Sequence, residues 1–258
     1  MTQPQVLIVQ ATGTNRDSDA AAAVEQAGGR PTVLHVNELQ ADPARLQTYQ
    51  MLVLPGGFSY GDALGAGRLL AIDMRWLFQD AIGRFIESGK PVIGICNGFQ
   101  ALVKSGWLPG PPEDSQRATL TRNLSNRFEC RWVWLEPNPH SPCVFTRGLT
   151  ARITCPVAHG EGRFVPRDET VLASLLERQQ IALTYTTQDG SAPDYPANPN
   201  GSTADIAGIC NESGNVFGLM PHPEDHIVPE QHPRRTRGER GNLGLALFER
   251  GISYAAQV

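Results

Sequence analysis

Over its first hundred residues the chain alternates short apolar runs with segments of helical spacing. Val6 to Val9 are uniformly apolar, and residues 6–10 have the length of a buried strand. An alanine-rich stretch follows, opened by Asp17 and Ser18 and closed by Gly28 and Gly29. Short polar side chains cap a first turn and glycines end a last one, so this stretch is predicted helical. Further strands are predicted over residues 32–36, 51–54 and 91–95, with a short helical piece over 45–50. Longer helices are predicted over 71–88 and 98–104. In the first of these Ile72, Trp76, Leu77, Ile82, Phe85 and Ile86 can share one face. Strands alternating with helices predict an α/β fold, a mostly parallel sheet with helices on both faces. Ligands of such sheets bind beyond the carboxyl ends of the strands.

After about residue 117 the pattern changes. Residues 127–135, 152–157, 181–187, 206–210 and 216–220 have strand character and are joined by irregular loops. Helical spacing returns around 171–178 and at 242–255. A mixed strand extension of the same sheet is the expectation, with 192–201 a loop and residues 1–258 one domain. Two stretches stand apart: the proline-rich 109–115 and the basic 225–240. Each is read either as a solvated loop or as a docking surface.

Composition narrows the class. Hydrophobic residues make up 40% of the 258, enough for a core, and the net charge of −4 is the opposite of a nucleic-acid footprint. The five cysteines are Cys96, Cys130, Cys143, Cys155 and Cys210. They are widely spaced with no C-x-x-C pair, which argues against a zinc ribbon or a disulfide framework. No metal site is expected. Together with an N-terminus lacking the basic region of a signal peptide, this predicts a cytoplasmic protein.

One cysteine stands in a special place. In Gly94-Ile-Cys96-Asn97-Gly98 a predicted strand runs straight into a predicted helix. This is the strand–turn–helix elbow that presents a nucleophile, with small neighbours on both sides of a tight turn. The helix N-terminus favours a thiolate, and the Asn97 amide would face a developing oxyanion. The plainer alternative is a small buried hydrophobe; the other four cysteines, in or near strands, are expected to be core or surface residues. Pro55-Gly56-Gly57-Phe58 also leaves a strand end, and its amides are candidates for a second oxyanion donor.

A thiol nucleophile needs a base, and the base an orienting group. His222 and Glu224 lie two apart in Pro221-His222-Pro223-Glu224, held extended by Pro223. His159 and Glu161 make a second His-x-Glu pair after another strand. Residue chemistry alone does not separate the two pairs. His35 is expected in the core, and His140, His226 and His232 at the surface.

The string Gly94-Ile-Cys-Asn-Gly-Phe-Gln100 closely resembles the nucleophile motif of class I, triad-type glutamine amidotransferases, whose fold is flavodoxin-like. Further strings tighten the match. They are 55–62 with Ala66-Gly67, 126–131, 158–163, 211–215 and Met220-Pro-His-Pro-Glu224. Together they are similar to the glutaminase subunits of phosphoribosylformylglycinamidine synthases. The resemblance implies that Cys96, His222 and Glu224 are the triad. Gly56, Gly57, Phe58, Asn97 and Gln100 would bind substrate and oxyanion, and His159 and Glu161 would touch substrate or partner. It implies hydrolysis of L-glutamine and delivery of ammonia to a large ATP-binding synthase subunit, with a small bridging subunit in the complex. It implies no cofactor in this chain, since ATP and magnesium serve the partner. The chain itself has no G-x-x-x-x-G-K-[ST] phosphate loop and no dinucleotide fingerprint. Two other readings are a cysteine peptidase of similar fold and a non-catalytic binding subunit. The peptidases place histidine directly after the cysteine, where this chain has Asn97, and an intact Cys-His-Glu set argues against a subunit without activity.

Overall fold

The computed structural model describes residues 3–113 and 115–258. Nine strands form one sheet. On its parallel side lie β1 (Gln5–Gln10), β2 (Arg30–His35), β3 (Met51–Leu54) and β4 (Val92–Ile95). Two short strands, β5 (Ala118–Thr121) and β8 (Arg163–Pro166), pair antiparallel in a separate ribbon. The large sheet continues through β6 (Glu129–Pro137), β7 (Ile153–His159), β9 (Ile181–Thr186), β10 (Ile206–Cys210) and β11 (Val216–Leu219). Its order is β2-β1-β3-β4-β11-β10-β9-β6-β7. The five strands from β2 to β11 are mutually parallel, and the four from β10 to β7 are antiparallel. The predicted α/β sheet with its strand extension is thus present.

Helices cover both faces of the parallel half. Alternate strand residues face opposite sides. Met51 of β3 meets Gly251 of α7 (Leu245–Ala255), whereas Leu54, an odd number of residues on, meets Gly98 of α5 (Asn97–Lys104). The helix α1 (Asp17–Gln26) packs beside α7, and α3 (Arg68–Trp76) beside α5. Burial of β1, β3, β4 and β11 between these layers explains their uninterrupted apolar sequences.

The structure corrects several expectations. The strand predicted over 32–36 ends at His35, and Val36 begins a short helix, α2 (Val36–Ala41). His35 is half-buried and not a core residue: its Nδ1 accepts from the Asn37 amide at 3.2 Å and caps α2. The helix predicted over 71–88 is two helices, α3 and α4 (Gln79–Glu87). The break at Leu77 and Phe78 leaves Trp76 78% exposed and Ile72 and Leu77 nearly half exposed, so the six apolar residues share no face. His226 and His232, expected at the surface, are buried against Trp132, with ring centroids at 4.9 and 5.3 Å. His226 Nδ1 also meets the Thr154 carbonyl at 2.6 Å, anchoring the basic stretch 225–240 to β7. His140 is exposed as expected. The helix predicted around 171–178 is α6 (Glu169–Glu177). The proline-rich stretch 109–115 includes position 114, which lies outside the described residues.

Candidate active site

Cys96 sits between β4 and α5 with φ 48° and ψ −100°. A non-glycine residue in this sparsely populated region carries backbone strain of about 1–3 kcal/mol, sustained only where the surroundings enforce it. They do so here. The Cys96 amide donates to the Leu219 carbonyl at 2.8 Å, extending the β4–β11 ladder by one bond, while the Cys96 carbonyl already accepts from Gln100 N at 2.9 Å. Gly98 lets α5 lie on the sheet: a β-carbon there would stand 2.0 Å from the Leu54 carbonyl oxygen. At Gly94 it would stand 2.5 Å from a Leu102 methyl. The two glycines flanking the cysteine are therefore packing requirements of the turn.

His222 follows β11, and its amide donates to the Pro156 carbonyl of β7 at 2.8 Å. Its Nδ1 meets Glu224 Oε1 at 2.7 Å. The pairing predicted from residues two apart is real, though the chain turns into a short 3-10 segment, Pro223–Asp225, rather than staying extended. Gly56 is shaped by this imidazole: a β-carbon would lie 2.7 Å from His222 Cε1. Cys96, His222 and Glu224 are 5%, 2% and 1% exposed, so the three are withdrawn from solvent, with Cys96 at the floor of a pocket.

Cys96 and His222 meet there. Burial alone would push the imidazole pKa down, but the Glu224 carboxylate and the Cys96 sulfur outweigh it and hold it well above the usual histidine range. Glu224 Oε2 is buried without a hydrogen-bond partner, which makes that carboxylate a demanding counter-charge. His222 Nε2 has no partner at strict hydrogen-bond geometry. The sulfur is near enough to act on it yet not tightly bonded, as is common for nucleophile and base before the reacting group is in place.

Above the floor lies a pocket of about 230 Å³, lined by Gly57, Phe58, Cys96, Gln100 and the turn after β7. The buried Asn97 side chain ties together residues around the pocket. Its oxygen accepts from Ser59 Oγ at 2.5 Å and Ser59 N at 3.2 Å, and its nitrogen donates to Asp62 at 2.9 Å and Gln100 Oε1 at 3.1 Å. Gln100 in turn donates to the Glu161 carbonyl at 2.7 Å. One expected donor is differently placed: the Phe58 amide donates to the Gly13 carbonyl at 3.2 Å and is committed away from the cleft. The Gly57 backbone lines the pocket at φ 126°, a conformation suited to glycine. The amides of Asn97 and Gly98, in the first turn of α5, have no intrahelical acceptor.

His159 is brought close to the triad but is not equivalent to His222. It is 3% exposed. Asn123 Nδ2 donates to the carbonyls of Arg127 and His159, so its Oδ1 must be the acceptor facing His159 Nδ1 at 3.1 Å. That nitrogen therefore carries the proton, and Nε2 faces Asn200 Nδ2 at 3.5 Å. Desolvation and the nearby His222 push the His159 pKa down to about 3. It is a neutral, fully committed imidazole. The Glu161 carboxylate lies 3.6 Å from Lys104 and accepts from Ala66 N at 3.3 Å, on the pocket rim.

Sequence reasoning missed several residues here. Asn123, Tyr185 and Asn200 are buried beside the site, Asn200 donating to the Tyr185 hydroxyl at 3.0 Å. Asn123 lies just ahead of the 126–131 string, and Asn200 inside the polar segment read as a loop; neither position carries a local signal of burial. Among the described residues no group of three or more His, Cys, Asp or Glu side chains could hold a metal ion.

Comparison with known proteins agrees with this geometry. A family model described as the CobB/CobQ-like glutamine amidotransferase domain matches residues 3–255. The phosphoribosylformylglycinamidine synthase subunit PurQ of Treponema denticola is 49% identical, covering 98% of this chain and 99% of its own. The PurQ subunit of Dehalococcoides mccartyi is 48% identical, with both chains covered in full. A chain of the solved PurLQS structure from Thermotoga maritima superposes with a TM-score of 0.74 at 33% identity, covering 98% of this chain and 99% of that one. The chain therefore belongs to the CobB/CobQ-like glutamine amidotransferase family and, within it, to the PurQ subunits of phosphoribosylformylglycinamidine synthase.

Proposed function

We propose that this chain is the glutaminase subunit of a phosphoribosylformylglycinamidine synthase, with Cys96 as nucleophile, His222 as acid and base, and Glu224 as its orienting carboxylate. The observation that carries the reading is Cys96 on a strained strand-to-helix turn against an imidazole that is itself bonded to Glu224 at 2.7 Å. The sulfur attacks the side-chain carboxamide carbon of glutamine. A carbon–sulfur bond forms and the carbonyl electrons move to oxygen, which the amides of Gly57 and Asn97 receive. Collapse breaks the carbon–nitrogen bond as His222 gives its proton to the leaving nitrogen, releasing ammonia. His222 then takes a proton from water, whose oxygen attacks the thioester; the carbon–sulfur bond breaks and glutamate departs. Gln100 and the rim residue Glu161 contact the rest of the substrate. His159 is a structural neighbour and not a base.

The ammonia serves a large ATP-dependent synthase subunit that converts formylglycinamide ribonucleotide to formylglycinamidine ribonucleotide in purine synthesis, with a small bridging subunit in the assembly. ATP and magnesium chemistry belongs to the partner, and this chain needs no cofactor. Exposed apolar side chains around the pocket support docking on that face: Phe58 and Phe128 line the catalytic pocket, and Leu64 and Trp76 line the adjoining groove. Five free cysteines support a reducing, cytoplasmic setting, and among the described residues no helix is long and apolar enough to cross a membrane. One sheet running through the whole chain supports reading residues 1–258 as a single domain. The test is reconstitution with the large and small subunits. Cys96→Ala is expected to lose glutamine-dependent synthesis while retaining ammonia-dependent synthesis; retention of both would overturn the assignment.

A further inference from the structure

The backbone of β7 touches both reacting residues, His222 at its main-chain amide and Cys96 at its sulfur. The Pro156 carbonyl accepts from the His222 amide at 2.8 Å, and two residues later the Ala158 carbonyl oxygen lies 3.8 Å from Cys96 Sγ. The wall of the pocket is then completed by Ala158 to Glu161, at the end of β7 and in the turn that follows. Gln100 holds the Glu161 carbonyl of that turn, and its other contacts from outside centre on Asn123, itself 1% exposed. Asn123 Nδ2 donates to the His159 carbonyl at 2.8 Å, and its Oδ1 accepts from His159 Nδ1 at 3.1 Å and Gly162 N at 2.9 Å. Its own amide donates to the Gly160 carbonyl at 2.9 Å. Three backbone groups of the turn, the carbonyls of His159 and Gly160 and the amide of Gly162, are thereby bonded to Asn123. The His159 ring is pressed on Gly162, where a β-carbon would stand 2.3 Å from it, so the ring cannot move aside.

The Ala158 carbonyl is an acceptor only, and it faces the atom to which the substrate's carboxamide carbon must bond. A carboxamide nitrogen, bonded to that same carbon, carries N–H groups that this oxygen can receive. An ester oxygen or a carboxylate oxygen at the same place offers no donor and meets a repelling lone pair. We propose that the Ala158 carbonyl reads the carboxamide N–H of the substrate, and that Asn123 is the positioning residue that holds this carbonyl in register with the Cys96 sulfur. The inference rests on the glutaminase reading and adds to it how an amide is preferred over its ester and acid.

The experiment compares glutamine with the γ-methyl ester of glutamate, using the chain in its assembly with the synthase subunits. Asn123→Ala is expected to lower kcat/KM for glutamine about ten-fold more than for the ester, the factor of roughly one hydrogen bond. Asn123→Asp keeps the acceptor side and loses the donor side, and is expected to shift the amide-to-ester ratio in the same direction by less. Thermal unfolding of each variant shows which is folded, and the ratio is read on whichever is. Equal losses on both substrates would mark Asn123 as structural only and overturn the proposal, as would an unchanged ratio. A wild-type assembly that hydrolyses neither substrate would instead sink the glutaminase reading itself.

Discussion

At the scale of single residues the two His-x-Glu pairs are chemically opposite. A buried carboxylate and a sulfur raise the pKa of His222 against its burial, while burial and the neighbouring His222 imidazole push that of His159 down to about 3. His222→Asn is expected to slow glutamine hydrolysis by about 100- to 10,000-fold, the usual weight of a general acid–base group. His159→Asn should cost less, and steady-state assays giving the reverse order would mean that the base was wrongly assigned. The elevated His222 pKa also fixes a pH dependence. The imidazole carries its proton below that pKa and loses it as pH rises through it, so the alkaline limb of kcat/KM reports this group. Glu224→Gln removes the carboxylate that raises it, and the limb should move to lower pH by about one unit or more. A limb that stays in place would detach the alkaline loss from His222. Of these residues, Cys96 was legible in the sequence because glycines announce the turn that holds it, whereas His222 and Glu224 were set apart from His159 and Glu161 only by the family resemblance. Asn123 and Asn200 were not legible, since an asparagine has the same local pattern whether it solvates a loop or is buried with every polar atom bonded.

At the scale of elements, what matters is how closely α5 approaches the sheet. The apolar runs of β1, β3 and β4 were readable because both faces of a central parallel strand are covered, so no polar residue interrupts them. The break between α3 and α4 was not. Trp76 and Leu77 continue a helical apolar period but face solvent, and periodicity does not distinguish a core face from a docking face. The ribbon of β5 and β8 was also missed: its strands are four residues each and are separated by 41 residues. Gly98 is the element-scale test. A methyl group there must push α5 off the Leu54 carbonyl, at a cost of about 1–3 kcal/mol or more. Gly98→Ala should lower the thermal midpoint by several degrees and reduce glutamine hydrolysis with it, because the same shift displaces Cys96. Unchanged stability by calorimetry would contradict the packing argument.

At the scale of the whole molecule, one end of the sheet gathers groups that are distant in sequence: the loop after β3, the cysteine after β4, the turn after β7 and the His-x-Glu segment after β11. The antiparallel half of the sheet is not an appendage, since β7 supplies both the Pro156 contact to His222 and one wall of the pocket. This organisation singles out one thiol among five. Cys130 is the exposed one and would react first if access alone decided; Cys143, Cys155 and Cys210 are buried, and burial pushes the thiols of Cys143 and Cys155 well up. Cys96 alone adjoins a raised imidazole at the floor of an open pocket. The most direct measurement is therefore peptide mapping after treatment with an electrophile built on the glutamine skeleton. The account predicts a single label on Cys96, blocked by excess glutamine, with parallel loss of glutamine hydrolysis. A label on Cys130 or Cys210 that tracks the loss of activity, with Cys96 untouched, would contradict it.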